Sequence, residues 1–243
     1  MNWFENWFDS NYYHILYKNR NSSEASLLIN NILNKIKPVK NAFFLDLGCG
    51  SGRHAIYLNK QGFYVDGLDL SKKSLTQAKQ YENKKMHFFH KDMRKLDFQN
   101  KYDVIINLFT SFGYFEEESD NKQVFKNISA ALKNKGYFVI DFLNSKQIKN
   151  NLKHNEVKKI DNIIFKISRR HDNKFVYKNI YITDKKNSYT FTEKVRLIKK
   201  EEFIDYSKNL NMKLINTFGD YNLNKYEEEL SDRLIMIFQK EKG

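Results

Sequence analysis

Between residues 42 and 143 short apolar runs alternate with amphipathic stretches, and a turn or cap residue marks most of the transitions. The run Ala42 to Leu47 predicts a first strand, Arg53 to Gln61 a helix ended by Gly62, and Tyr64 to Leu70 a second strand. Ser71 is placed to cap a helix through Tyr81, with Leu75 and Ala78 on one face. Met86 to His90, Tyr102 to Leu108 and Gly136 to Leu143 read as the third, fourth and fifth strands. A helix over Asn121 to Lys133 precedes the last of these. Strands and helices alternating at this spacing imply a parallel sheet with right-handed crossovers.

The period then changes. From about Lys158 to Ile198 apolar residues recur at every second position in three segments: Ile163, Phe165, Ile167; Phe175, Tyr177; and Tyr189, Phe191, Val195. Turn-forming residues at Asp172-Asn173 and from Asp184 to Asn187 separate them, which predicts an antiparallel meander inserted after the fifth strand. Glu201 to Asn211 reads as a helix, and Met212 to Phe218 with Arg233 to Phe238 as a closing antiparallel pair. The first 37 residues are expected to be mostly helical. Trp3, Phe4, Trp7 and Phe8 repeat at helical spacing, and so do Tyr12, Tyr13, Leu16 and Tyr17. Such an aromatic stripe either packs on the sheet or covers a ligand cleft.

A chain of 243 residues with 41% hydrophobic and 15% aromatic residues can bury a sizeable core, so a disordered tail is excluded. No apolar run approaches the length needed to cross a bilayer, and MNWFENWFDS lacks the basic and apolar blocks of a secretory signal. With a single cysteine, Cys49, no internal disulfide can form, and the chain is expected to be cytoplasmic. The net charge of +13 invites a nucleic-acid partner. Only seven of the 42 basic residues are arginine, however, and the lysines are spread along the chain. A solvated lysine surface is the plainer account, which argues against nucleic acid.

The densest chemistry lies in FLDLGCGSGR, residues 44–53. A buried strand meets Asp46, then glycines at 48, 50 and 52, then a helix start. This is the strand-to-helix corner at which open α/β sheets hold nucleotide-like ligands. The spacing is G-x-G-x-G, not the G-x-G-x-x-G dinucleotide fingerprint, and no Gly-Lys-Ser/Thr follows to make a P-loop. Asp69, in DGLDLS, closes the second strand 23 residues beyond Asp46, where a carboxylate can accept from both hydroxyls of a ribose. Asp66 competes with it but falls inside the strand. Asp92 stands at the end of the third strand in HKDMRKLDF, and NLFTSFGYF follows the fourth.

In this glycine motif and the acidic residues after it, the chain resembles the class I S-adenosylmethionine-dependent methyltransferases. The pattern YYHILYKNR near the N-terminus, with strands inserted after the fifth strand, is similar to their bacterial small-molecule group, including sugar-amine N-methyltransferases. The resemblance implies a Rossmann-like, doubly wound seven-stranded sheet, mostly parallel with an antiparallel last strand. It implies S-adenosylmethionine as cofactor, held by Tyr13, Arg20, Asp46, Gly48, Cys49, Gly50, Asp69, Leu70, Asp92, Met93, Asn107 and Leu108. Asp92 would accept from the adenine amino group with Met93 packing on the ring, and Arg20 would pair with the methionine carboxylate. Phe112, Tyr114 and Arg233 would face the acceptor, although Arg233 equally suits an ion pair with a neighbouring acid.

Methyl transfer from a sulfonium needs alignment and exclusion of water more than it needs a base. Candidate proton acceptors are His54, Tyr114 and Asp141, with His14 as a further one. No histidine has metal-ligand spacing, so no metal is expected. The expected organisation is a helical lid over 1–37, a cofactor domain over 38–145 and 199–243, and an inserted subdomain over 146–198. The expected partner is a small-molecule acceptor with an N or O nucleophile; the chain would be a monomer or homodimer. An RNA or protein acceptor, and a cofactor-binding regulator without turnover, are the competing readings.

Overall fold

A computed structural model describes residues 3–18 and 22–242. Its main sheet follows the first alternation closely. The strands are β1 (Phe43–Leu47), β2 (Tyr64–Asp69), β3 (Met86–His90), β4 (Tyr102–Asn107) and β5 (Leu132–Leu143), closed by β10 (Met212–Phe218) and β11 (Arg233–Lys240). Their order is β10-β11-β5-β4-β1-β2-β3. The first five run parallel, and β11 lies antiparallel to both of its neighbours. Strand order reverses direction between β1 and β4, so a crevice opens at the carboxyl ends of those two strands.

Even in this doubly covered sheet the period of two sorts side chains into two cores. Leu45, Leu47, Ile105, Phe138, Ile140 and Phe142 join one cluster, while Phe44, Val65, Phe88, Val104, Ile106 and Val139 join the other. Helices α4 (Arg53–Lys60) and α5 (Lys72–Lys79) bury Ala55, Leu58, Leu75 and Ala78 in the second cluster, and α6 (Glu118–Ala131) buries Val124, Phe125 and Ile128 in the first. Ser71 caps α5 as its sequence position requires, its Oγ accepting from the Ser74 amide at 3.1 Å.

The insertion differs from its expected form. It holds four strands: β6 (Asn155–Ile160), β7 (Ile163–His171), β8 (Phe175–Asp184) and β9 (Asn187–Arg196), paired in that order and antiparallel throughout. The extra strand β6 carries the sequence NEVKKI, whose one central apolar residue, Val157, is 68% exposed. An edge strand with little to bury leaves no alternation to detect. A short helix, α7 (Ser145–Asn151), and the helix α8 (Lys200–Ser207) flank the insertion.

The N-terminal stretch forms α1 (Trp3–Phe8), α2 (Asn11–Leu16) and α3 (Ser22–Ile36). The first two pack on the inserted sheet, where Trp7 and Leu16 meet Phe165, Ile167, Ile180 and Ile182. Trp7 is fully buried and donates its indole N–H to Glu193 Oε1 at 2.7 Å. Tyr12 donates to Asp184 on the same sheet at 3.0 Å. A third fastening reaches the main domain: Asp9 Oδ1 accepts from Ser71 Oγ at 2.7 Å and from the Lys73 amide at 3.1 Å. Trp7→Ala therefore removes both a large buried ring and a hydrogen bond. We expect a loss of about 3–5 kcal/mol of packing energy confined to this module. Hydrogen exchange should show α1, α2 and β9 losing protection while β1, β4 and β5 keep theirs.

Candidate active site

The crevice at the ends of β1 and β4 deepens into a cavity of about 580 Å³. Its floor is the glycine turn after β1. Gly48, Gly50 and Gly52 all have positive φ, at 81°, 53° and 84°, where side chains other than glycine are strained. A Cβ on Gly48 would lie 2.8 Å from Ser111 Cβ, whereas one on Gly50 would project into open space within the cavity. The turn is stitched to β2, with the Gly48 and Cys49 amides donating to the Leu68 carbonyl at 2.7 and 3.1 Å. Asp69 completes the stitch: its Oδ2 accepts from the Gly50 amide at 2.7 Å and its Oδ1 from the Ser71 amide at 2.8 Å. Burial pushes the Asp69 carboxyl above its usual range, and these backbone donors act against that rise.

The roof is aromatic. Trp3, Phe4 and Phe8 of α1 gather around Tyr114, with Trp3 and Phe8 rings 5.5 and 5.4 Å from its centroid. Tyr13 packs edge-on against Trp7, Phe8 and Tyr17. Tyr114 itself donates its hydroxyl to the Thr110 carbonyl at 2.5 Å, which fixes the ring at the cavity wall. The third wall comes from β9, through Glu193 and Val195. Glu193 Oε1 accepts from Trp7 and from the Tyr17 hydroxyl at 2.6 Å, while Lys178 lies 3.4 Å from its Oε2.

Of the residues read from the sequence, the cavity gathers Tyr13, Gly48, Cys49, Gly50, Asp69, Leu70, Met93, Leu108, His54 and Tyr114. Arg20 lies outside the described residues. Cys49 is buried, and that burial pushes its thiol up, so it packs as a small inert side chain. Asp46 sits just beneath the turn. Burial, then the charge of Asp69, raise its carboxyl to about 7, against the Ala55 amide and Arg53. Its Oδ2 has no hydrogen-bond partner and stands 3.9 Å from His54 Nδ1. Asn107 is fully buried beside it, its Nδ2 donating to the Leu47 carbonyl at 2.6 Å and its Oδ1 unpartnered.

Five other residues stand away from the cavity lining. Asp92 Oδ1 caps the 3₁₀ turn Met93–Lys95 by accepting from the Arg94 amide, and both carboxylate oxygens accept from the Arg94 guanidinium. Burial would raise the Asp92 carboxyl, but these bonds outweigh it and hold it below its usual range. Phe112 is fully buried against Phe125 and Phe203 in the core. Asp141 and Arg233 form a buried ion pair, with Arg233 Nε 2.8 Å from Asp141 Oδ1. Asp66 accepts from Lys101 and the Tyr102 hydroxyl instead of facing the cavity.

The ion pair clamps an unusual backbone. Phe109 and Thr110 both have positive φ, 58° and 60°, conformations costly for bulky side chains. Asp141 Oδ2 accepts from the Phe109 amide at 2.8 Å, the Asp141 carbonyl accepts from the Thr110 amide at 3.0 Å, and Arg233 Nη2 donates to Thr110 Oγ1 at 2.9 Å. Phe109, so held, stacks on His54 at 5.2 Å under the Arg53 guanidinium at 4.7 Å. The pair thus positions the segment that carries Tyr114.

The sequence reading missed Glu193 as a lining residue. Glu193 carried a signal: an acid at the apolar parity of the β9 alternation, between Phe191 and Val195. Trp3 and His14 each place a buried ring nitrogen without a partner at the cavity. Burial and the charge of Lys73 lower the His14 pKa, against Asp9, and keep its ring neutral. Among the described residues no three His, Cys, Asp or Glu side chains gather to hold a metal, and no helix is long and apolar enough to cross a membrane. Asp141→Asn should destabilise the protein by about 3 kcal/mol, the scale for breaking a buried ion pair. In urea melts the double variant with Arg233→Met should lose clearly less than the two single losses combined.

The comparisons with known proteins agree with this geometry. Residues 44–136 match the family model described as a methyltransferase domain. A provisionally named methyltransferase of Geobacillus sp. (strain WCH70) is 37% identical over 100 residues, 40% of either chain. The chain spans half or less of the length of the first curated relatives it matches. Among solved structures, an S-adenosylmethionine-dependent methyltransferase from Clostridium acetobutylicum ATCC 824 superposes with a TM-score of 0.80 at 20% identity, covering 95% of this chain and 96% of that one. The S-adenosylmethionine-bound amino pentose methyltransferase of Micromonospora echinaspora gives 0.72 at 16% identity, with 95% and 97% covered. Residues 44–136 are thus similar to a methyltransferase domain, and the fold over 95% of the chain is shared with solved structures of S-adenosylmethionine-dependent methyltransferases.

Proposed function

We propose that this protein is an S-adenosylmethionine-dependent methyltransferase that methylates an N or O nucleophile of a small molecule. The reading is carried by one observation: the glycine turn, the Asp69 carboxylate and the aromatic roof converge on a single cavity of about 580 Å³. The residues fit the cofactor chemically. The bare main chain at Gly50 admits a close ligand, and Asp69 is a carboxylate suited to paired hydroxyls. Leu70 and Met93 offer apolar surface to a purine, and the rings of Trp3, Phe8 and Tyr114 suit a cation. S-adenosylmethionine would supply a methyl carbon already activated by its positive sulfonium.

The chain's own part is placement and exclusion of water. Tyr114, pinned by Thr110 and by the α1 rings, sets the cavity wall on the acceptor side. His54 and His14 are the proton acceptors within reach of the cavity, and Asp141 acts through Phe109 and Thr110 as a positioning residue. Helices α1 and α2 serve as the roof and β9 of the inserted sheet as the acceptor-side wall, while α3 packs Leu28, Ile29, Ile32 and Ile36 into the second core of the main domain. The size of the cavity and its closure on three sides favour a small acceptor over a macromolecular one. A buried, lone thiol suits a cytoplasmic setting.

The reading is tested by titration calorimetry with S-adenosylhomocysteine and by a screen of cell metabolites with isotope-labelled methyl donor. Gly50→Val should abolish measurable cofactor binding, because it fills the cavity floor, where nothing lies within 4 Å of the new Cβ, and strains the turn at a φ of 53°. Unchanged affinity in that variant overturns the assignment of the turn. Asp69→Ala should weaken binding by about 1.5–3 kcal/mol, the range for a hydrogen bond to a charged group.

A further inference from the structure

The inserted sheet has two faces of opposite chemistry. Its inner face packs Phe165, Ile167, Ile180 and Ile182 against α1 and α2. Its acids also point inward: Asp184 and Glu193 accept from Tyr12 and Trp7, and Glu156 pairs with Ile167 in the register. At the outward strand positions the described residues include no carboxylate. They carry Lys159, Lys166, Arg170, Lys194 and Arg196 instead. The whole chain holds 29 acidic residues to 42 basic ones, so composition alone does not deliver outward strand positions free of acid. Lys194 and Arg196 are neutralised from outside the sheet by Glu116 and Glu118. Lys159, Lys166 and Arg170 are left as a cationic strip without an ion pair within 4 Å among the described residues, with one carboxylate at its edge, Asp172 of the β7–β8 turn, which accepts from the Tyr177 hydroxyl at 2.9 Å and lies near Arg170.

Two tyrosines interleave with that strip. Tyr181 lies opposite Lys166 and Tyr177 opposite Arg170, four residues apart on one strand and hence roughly 13 Å apart on the same face. Tyr181 is 48% exposed, and the Arg170 guanidinium lies flat enough to sit 3.9 Å from the Tyr177 ring centroid. Asn179 and Thr192 stand between the rings as neutral hydrogen-bonding groups. Ring planes and guanidinium planes on a rigid antiparallel sheet, flanked by lysines, form a platform on which unpaired bases stack while phosphates meet the cations.

We propose that this outward face docks single-stranded nucleic acid, as a site separate from the cofactor cavity. Duplex is disfavoured because nothing on the flat sheet projects into a groove. A second copy of the chain is disfavoured because a two-fold contact would set the same cations against one another. The occupant that complements a cationic and aromatic face with acids only at its edges is a polyanion with stackable rings.

The test is fluorescence anisotropy of the full chain with a labelled oligouridine of about 15 nucleotides, over a range of salt. Three phosphate contacts at about 0.7 each give an expected log–log salt slope of about −2. The double variant Lys166→Glu/Arg170→Glu should bind at least tenfold more weakly and flatten the slope by about 1.4. Tyr181→Ala, an exposed substitution that spares the fold, should weaken binding about tenfold without changing the slope. The control Lys60→Glu/Lys79→Glu makes the same charge change on α4 and α5 and should stay within twofold. The proposal is overturned if the control loses as much as the face variant, which makes net charge the whole cause. It is equally overturned if Tyr181→Ala has no effect, or if phosphatidylserine vesicles bind through this face and oligouridine does not. S-adenosylhomocysteine binding, read on the same variants, should not change, so the result stands apart from that for the cavity.

Discussion

The bond from the Gly50 amide to Asp69 Oδ2 is the constraint from which the cavity follows. A turn through three positive-φ glycines has few contacts of its own and would otherwise explore many shapes. Asp69 closes it against the end of β2, so the cavity floor and the carboxylate beside it are fixed by one interaction. The same bond explains why the acid must stand at the strand's last position. One residue earlier the side chain would point to the opposite face of the sheet.

A second device works on the other side of the switch point. Phe109 and Thr110 keep a backbone shape that their side chains disfavour, and the buried Asp141–Arg233 pair supplies the bonds that hold it. Strain retained beside a cavity, with dedicated bonds to maintain it, is a mark of a segment whose side-chain placement matters. Asp141 and Arg233 look reactive in the sequence because both sit at strand ends. In the fold each is the other's partner, and their role is mechanical.

Legibility followed burial. The main-sheet strands and the Ser71 cap were readable because each places apolar residues or a cap at fixed spacing. β6 was not, since an edge strand with Val157 in solvent has no pattern to show. Asp141 and Arg233 lie 92 residues apart, and no local rule pairs residues across such a distance. Asp92 illustrates a different limit: its position at the end of the third strand was readable, but the two-residue step to Arg94 that occupies its oxygens was visible only in the structure. Glu193 is the instructive case, because a charge at an inward strand position was present in the sequence and reads in hindsight as a cavity residue.

Trp7 finds its acceptor 186 positions later in the chain, at Glu193. During synthesis the first two helices emerge early but have no sheet to rest on until β9 has left the ribosome. Their aromatic stripe is exposed for most of translation, a sequence-distant pairing of the kind that slows folding and invites chaperones. The cavity's roof can thus be set only once β9 has been made, long after its own helices.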